Sequence, residues 1–192
     1  MSKIKRGYYL HNDVVFLAKD LLGKVLVTRI NNRLTSGIIT ETEAYAGETD
    51  KASHAYKGRR TARTEIMYAK GGTGYVYLCY GIHHLFNIVT NEQDVPHAIL
   101  IRGIKPLSGI STILQRRGQS KLSPATSSGP GTVSQALGIK TIHTGIDLCS
   151  KTIWLEDDNI SYAPEDILTG PRIGIDYAGE DAKLPYRFLV KP

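Results

Sequence analysis

The chain is poor in everything that would staple, anchor or repeat it. Its two cysteines, Cys79 and Cys149, carry no ligand-like spacing, so they are read as reduced thiols and no disulfide scaffold is expected. The longest apolar runs, residues 14–18 and 98–101, fall far short of the roughly 20 residues of a bilayer span, and no membrane association is expected. Met1-Ser2-Lys3-Ile4-Lys5-Arg6 leads into Gly7-Tyr8-Tyr9 with no apolar core or small-residue cleavage site behind it. Export is therefore not expected, and a cytoplasmic location is, nucleoid-associated in a bacterium. No repeat or linker divides the chain, and the Ser-, Pro- and Gly-rich residues 120–131 read as a loop, so one domain over 1–192 is expected. His83-His84 with His97 lacks zinc spacing, and Gly71-Gly72-Thr73-Gly74 lacks the Lys-Ser/Thr ending of a nucleotide P-loop. No metal and no cofactor are expected.

What is present fits a globular domain. Apolar residues make up 41% and charged residues 22% of 192 residues, enough to bury about 70% of the unfolded surface in one core. Lys and Arg number 24 against 18 acids, a net charge of +6, which favours a polyanionic partner. Lys57, Arg59, Arg60 and Arg63 fall within seven residues, a cluster equally compatible with a solvated basic loop.

Asp13 before an apolar stretch that closes at Gly23 predicts a capped helix over 14–22. Alternating β-branched segments at 24–30 and 37–45, joined through Asn31-Asn32, predict an antiparallel pair. Residues 74–80 and 83–90 predict a long aromatic hairpin with Gly81 at its tip. Further strands are expected at 98–104, 152–155, 172–175 and 186–190, and short helices at 110–116 and 132–137. Few helices and short turns predict an α+β fold: a mostly antiparallel curved sheet, peripheral helices and a protruding β-hairpin.

Side-chain alternation puts Glu41, Glu43 and Tyr45 on one strand face. A buried acid there could take a proton from water beside an aromatic surface suited to a planar substrate; periodicity does not choose between Glu41 and Glu43, and solvated acids would fit the same pattern. On the hairpin, Tyr77 and Tyr80 are three residues apart and should project from opposite faces. Cross-strand packing accounts for such rings, but an aromatic at a protruding tip also suits wedging between base steps from the minor groove. Ser127-Ser128-Gly129-Pro130-Gly131 before a helix could offer amide donors to a phosphate, and helix entry alone accounts for it about as well. Two other classes share these features, a noncatalytic nucleic-acid binding module and a nucleoside hydrolase.

Taken together, residues 37–45, Ala52-Ser53-His54-Ala55-Tyr56, Gly58-Arg59-Arg60-Thr61 through Met67, residues 74–81, Phe86-Asn87-Ile88, Leu100-Ile101-Arg102, Ser128-Gly129-Pro130, Gln135-Ala136-Leu137 and Gly170-Pro171-Arg172 resemble the alkyladenine, or 3-methyladenine, DNA glycosylase family. Order and spacing hold from about Leu21 to Val190. The resemblance implies a monofunctional hydrolase that flips alkylated or otherwise damaged purines out of double-stranded DNA and cuts the N-glycosidic bond with water, initiating base excision repair. A monomer is expected.

By position, the resemblance implies Glu43 as general base and Arg102 as its partner in holding the water. It implies Tyr45 and Tyr77 as the aromatics sandwiching the base, with His54, Asn87 and Leu100 completing the pocket. Tyr80 and Ile82 would enter the duplex, and Lys57, Arg59, Arg60, Arg63, Ser128 and Gly129 would meet its backbone. Thr132 stands where the family usually has lysine, and Ala62 where proline is common.

Overall fold

The structure, a computed structural model, describes residues 2–191. Its frame is a curled sheet of nine strands, β1 (Ser2–Lys3), β2 (Val25–Ile30), β3 (Arg33–Tyr45), β4 (Thr73–Cys79), β5 (His83–Thr90), β6 (His97–Ser108), β7 (Ile153–Asp157), β8 (Ile167–Gly170) and β9 (Arg187–Val190). Every pairing between them is antiparallel, in the order β1-β7-β2-β3-β6-β5-β4, with β9 joining the C-terminal half of β3 and β8 joining β9. Among the described residues four α-helices flank it: α1 (Arg6–Tyr9), α2 (Val14–Asp20), α3 (Ile110–Arg117) and α4 (Pro130–Leu137). The α+β architecture is as expected, and no helix among the described residues is long and apolar enough to cross a membrane.

The local signals act as anticipated. Asp13 caps α2 by accepting from the Val15 and Phe16 amides, and Asn31 and Asn32 both take positive φ in the two-residue turn between β2 and β3, the conformation such a hairpin requires. Gly138 closes α4 in the left-handed region. One expected strand is absent: residues 172–175 form a loop, and the strand that pairs with β9 is β8, just upstream. Arg172 explains why. Its side chain is fully buried and tied to Asp50 and to the Ala44 carbonyl, contacts that pull the chain off the sheet edge.

Strand alternation sorts the sheet into two faces. Phe86 and Ile88 of β5, Ile99 and Ile101 of β6, Val76 of β4 and Ala44 of β3 join Leu17, Val133 and Leu137 from the helices in the main core. The residues between them face the other way. Tyr75, Tyr77, Leu85, Asn87, Leu100, Arg102 and Tyr45 all line one cleft of about 660 Å³, within the size range of small-molecule sites. The burial that stabilises one face thus fixes the side chains presented on the other.

Candidate active site

Glu43 sits beneath the cleft, fully buried, and each of its oxygens is held. Oε1 accepts from the Ile173 amide at 2.8 Å, and Oε2 accepts from the Tyr45 hydroxyl at 2.8 Å. Arg102 Nε lies 3.4 Å from Oε1. Burial pushes the carboxyl above its ordinary range; Arg102, the Ile173 amide and the Tyr45 hydroxyl pull it back, and Glu41 pushes it up again. Two hydrogen bonds and a nearby guanidinium thus hold a carboxyl that burial makes more basic than one in water. Periodicity left Glu41 and Glu43 equivalent. In the structure Glu43 has the buried place beside Tyr45, whereas Glu41 is taken up by Arg102 at 3.0 Å and Arg187 at 2.6 Å.

The cleft walls are aromatic. Tyr45 is backed by the Arg172 guanidinium, whose carbon lies 4.8 Å from the ring centroid and whose two Nη groups fork onto Asp50 at 2.5 and 2.8 Å. Tyr77 packs at 4.7 Å from the His54 ring and 5.5 Å from Tyr75, with Arg63 5.2 Å over it. Asn87 is fixed by donating to the Tyr75 and Leu85 carbonyls, and Leu100 is buried in the floor. His54 lies beside them with both ring nitrogens engaged, Nδ1 with the Tyr75 hydroxyl at 2.9 Å and Nε2 with Arg63 at 3.4 Å. Burial, then Arg63 and Arg59, lower its pKa to about 4, so the ring is neutral at pH 7.

The hairpin tip is built differently. Tyr80 is 90% and Ile82 70% exposed. Tyr80 lies in the turn rather than on the strand, with φ +51° followed by Gly81 at +73°, and Ile82 returns its amide to the Cys79 carbonyl. The face-alternation expectation for Tyr77 and Tyr80 therefore does not apply. A tyrosine in the left-handed region is strained, and such strain concentrates at functional sites.

The basic cluster is not uniform. Arg60 is committed to Glu65 and Asp94, both at 2.8 Å, and lies over Tyr68, so its charge is compensated. Lys57 sits at positive φ beside Tyr56, and Arg59 is exposed. Arg63 belongs to the cleft wall. At the other rim, Ser128 and Gly129 spend their amides on the Pro124 and Arg102 carbonyls; the anchoring amides expected there are taken, and the α4 entry reaches the cleft through Gly129, Pro130, Gly131 and Thr132. Among the described residues no group of three or more His, Cys, Asp or Glu side chains could hold a metal ion.

Sequence reasoning missed Tyr75, Ile173 and Tyr177 of the cleft, and Asp50, Arg172 and Arg187 behind it. Gly170-Pro171-Arg172 stood out as a motif without a role. Ile173 contributes through its backbone amide, which no residue type announces.

Comparison with known proteins identifies the family. The family model described as methylpurine-DNA glycosylase (MPG) matches residues 8–192. A Chlamydia felis protein is 48% identical over 188 residues, covering 97% of this chain and 95% of its own. A Clostridium perfringens (strain 13 / Type A) protein is 45% identical over 197 residues, with 98% and 96% covered, and a Bacillus cereus protein is 43% identical over 192 residues, with 95% and 93% covered. The curated name of all three is that of a 3-methyladenine DNA glycosylase.

Proposed function

The chain belongs to the methylpurine-DNA glycosylase family, hydrolases of the N-glycosidic bond, and from that premise we propose that it is a monofunctional glycosylase that extrudes damaged purines from duplex DNA and releases them by hydrolysis. The observation that carries this reading is the fully buried Glu43 carboxylate under a cleft walled by Tyr45 and Tyr77.

A stacked base pair hides its glycosidic bond, and opening it costs a few kcal/mol, least at a damaged pair. Tyr80, with Ile82 beside it, occupies the space left in the duplex, while Lys57 and Arg59 contact phosphate and give affinity that falls with salt. The extruded purine lies between Tyr45 and Tyr77, with His54, Asn87 and Leu100 limiting its edges. A purine alkylated at a ring nitrogen is cationic, which favours tyrosine faces by about 0.5 to 2 kcal/mol and makes the base a better leaving group.

As the bond lengthens, the sugar gains positive charge that the Glu43 carboxylate stabilises. Glu43 takes the proton of a water that Arg102 helps to orient, the hydroxyl oxygen bonds to the sugar carbon, and the purine leaves with the electron pair of the broken bond. The residues lining the cleft include no lysine, which suits hydrolysis by water rather than attack by an amine, and hence an abasic product with an uncut strand.

The test is base release from a panel of duplexes, each with one methylated, deaminated or etheno purine. Free base from an intact strand is expected. A shifted gel band without free base would identify a binding module, and release from free nucleosides regardless of duplex a nucleoside hydrolase.

A further inference from the structure

Behind Glu43 lies a second buried acid that the reading above leaves without a task. Glu41 enters at an irregularity of β3, where the register with β6 shifts on both sides of it. It lies opposite Gly103, where an added Cβ would come within 3.0 Å of the Glu41 Cβ. Glycine there lets the two backbones close so that Glu41 reaches Arg102 from below.

Glu41 Oε1 accepts from Arg102 Nε at 3.0 Å and from Arg187 Nε at 2.6 Å, whereas Arg102 Nε is 3.4 Å from Glu43. Arg102 is therefore gripped along one edge by the acid that is not the base. The rest of its guanidinium is left to face the cleft that it lines. Were Glu41 neutral, the nearest anion for Arg102 would be Glu43, and the arginine would close onto the carboxylate that must accept a proton.

Resting on the proposed role of Glu43, we infer that Glu41, clamped by Arg187, is a positioning residue: it holds Arg102 by its Nε edge, so that the arginine faces the cleft and leaves the Glu43 carboxylate available. Several elements bring charged and titratable groups towards Glu43. Arg102 faces it from β6 and Arg187 from β9, and Tyr77 approaches from β4. Arg172 and the Ile173 amide come from the loop after β8, Tyr177 from the helical turn that follows, and Tyr45 and Glu41 from its own strand. Of these, Glu41 and Arg187 carry opposite charges on the same small network, which makes the role testable by sign.

The experiment is single-turnover base release from one lesion duplex across pH, for wild type, Glu41→Gln, Glu41→Asp, Arg187→Gln and Glu43→Gln, with duplex affinity measured alongside. Glu41→Gln should move the acid limb of the rate to lower pH, since it removes a like charge and frees Arg102 to pair with Glu43. It should lower the plateau by about 10- to 100-fold, the size of effect that follows misplacement of a reacting group, with affinity unchanged. Arg187→Gln removes a positive charge and should move the limb to higher pH. Glu41→Asp, which keeps the charge, should hold the limb near its wild-type position.

Limbs that stay put, or that move the same way in Glu41→Gln and Arg187→Gln, overturn the inference. If Glu41→Gln does not fold, Arg187→Gln, at a side chain a quarter exposed, decides by the direction of its shift. Release by Glu43→Gln at the wild-type rate would overturn the underlying reading instead; an inactive Glu43→Gln with unmoved limbs elsewhere sinks this inference alone.

Discussion

The floor of the cleft and the tip of the hairpin are opposites made from one sheet. At the floor, Glu43 is wholly buried, Glu41 and Arg102 nearly so, and every charge has a partner. At the tip, Tyr80 and Ile82 stand in solvent with a tyrosine in the left-handed region. Burying the Glu43 carboxyl works against folding, as its raised pKa records, and the tip carries backbone strain; folding alone rewards neither. A group that must hold its geometry during a reaction is locked by burial and hydrogen bonds, whereas a group that waits for another molecule stays exposed.

Substitutions can sharpen or break that contrast. The largest effect is expected from Glu43→Gln, which should slow single-turnover base release by up to about 10⁴-fold, the upper range for a general base, with lesion-duplex affinity retained. Next comes the support behind Tyr45. Asp50→Ala leaves the buried Arg172 guanidinium uncompensated, and denaturant unfolding should show a loss of about 3 to 5 kcal/mol.

At the tip the two properties should separate. Tyr80→Asn places a residue that tolerates the left-handed region, so unfolding should show a gain of roughly 0.5 to 1 kcal/mol. Its affinity for a lesion duplex should meanwhile fall about tenfold, within the range for lost base stacking. A gain in both would break the contrast. The smallest effect is electrostatic. Arg59→Gln should reduce the slope of log affinity against log salt by about 1, while Arg60→Gln should leave it nearly unchanged, because Arg60 is already paired with Glu65 and Asp94.

What could be read in advance follows the same division. Alternation along β3 put Glu43 and Tyr45 on one face, where they are found together, because period two survives wherever one side of a strand is buried; Asn87, Leu100 and Arg102 were placed only by the family resemblance, and they line the same cleft. The capped helix α2 and the Asn31-Asn32 turn were legible for local reasons. Contacts made by chain segments far apart in sequence were not. Arg172 breaks an expected strand because Asp50, 122 residues away, claims its guanidinium. Arg187 reaches Glu41 only through the pairing of β9 with β3, and Arg60 looked like its neighbours until Asp94 closed on it. Charge clusters show how many cations a segment has, not which are already neutralised.

The central claim is that the buried carboxylate of Glu43 accepts the proton of the attacking water, and the pH dependence of single-turnover base release tests it most directly. Because burial raises the Glu43 pKa, the rate should fall with acidity at a pH above the ordinary carboxylate range, and this limb should vanish along with the activity in Glu43→Gln. A plateau that persists down through that range in the wild type, or the same limb and rate surviving in Glu43→Gln, would contradict the account.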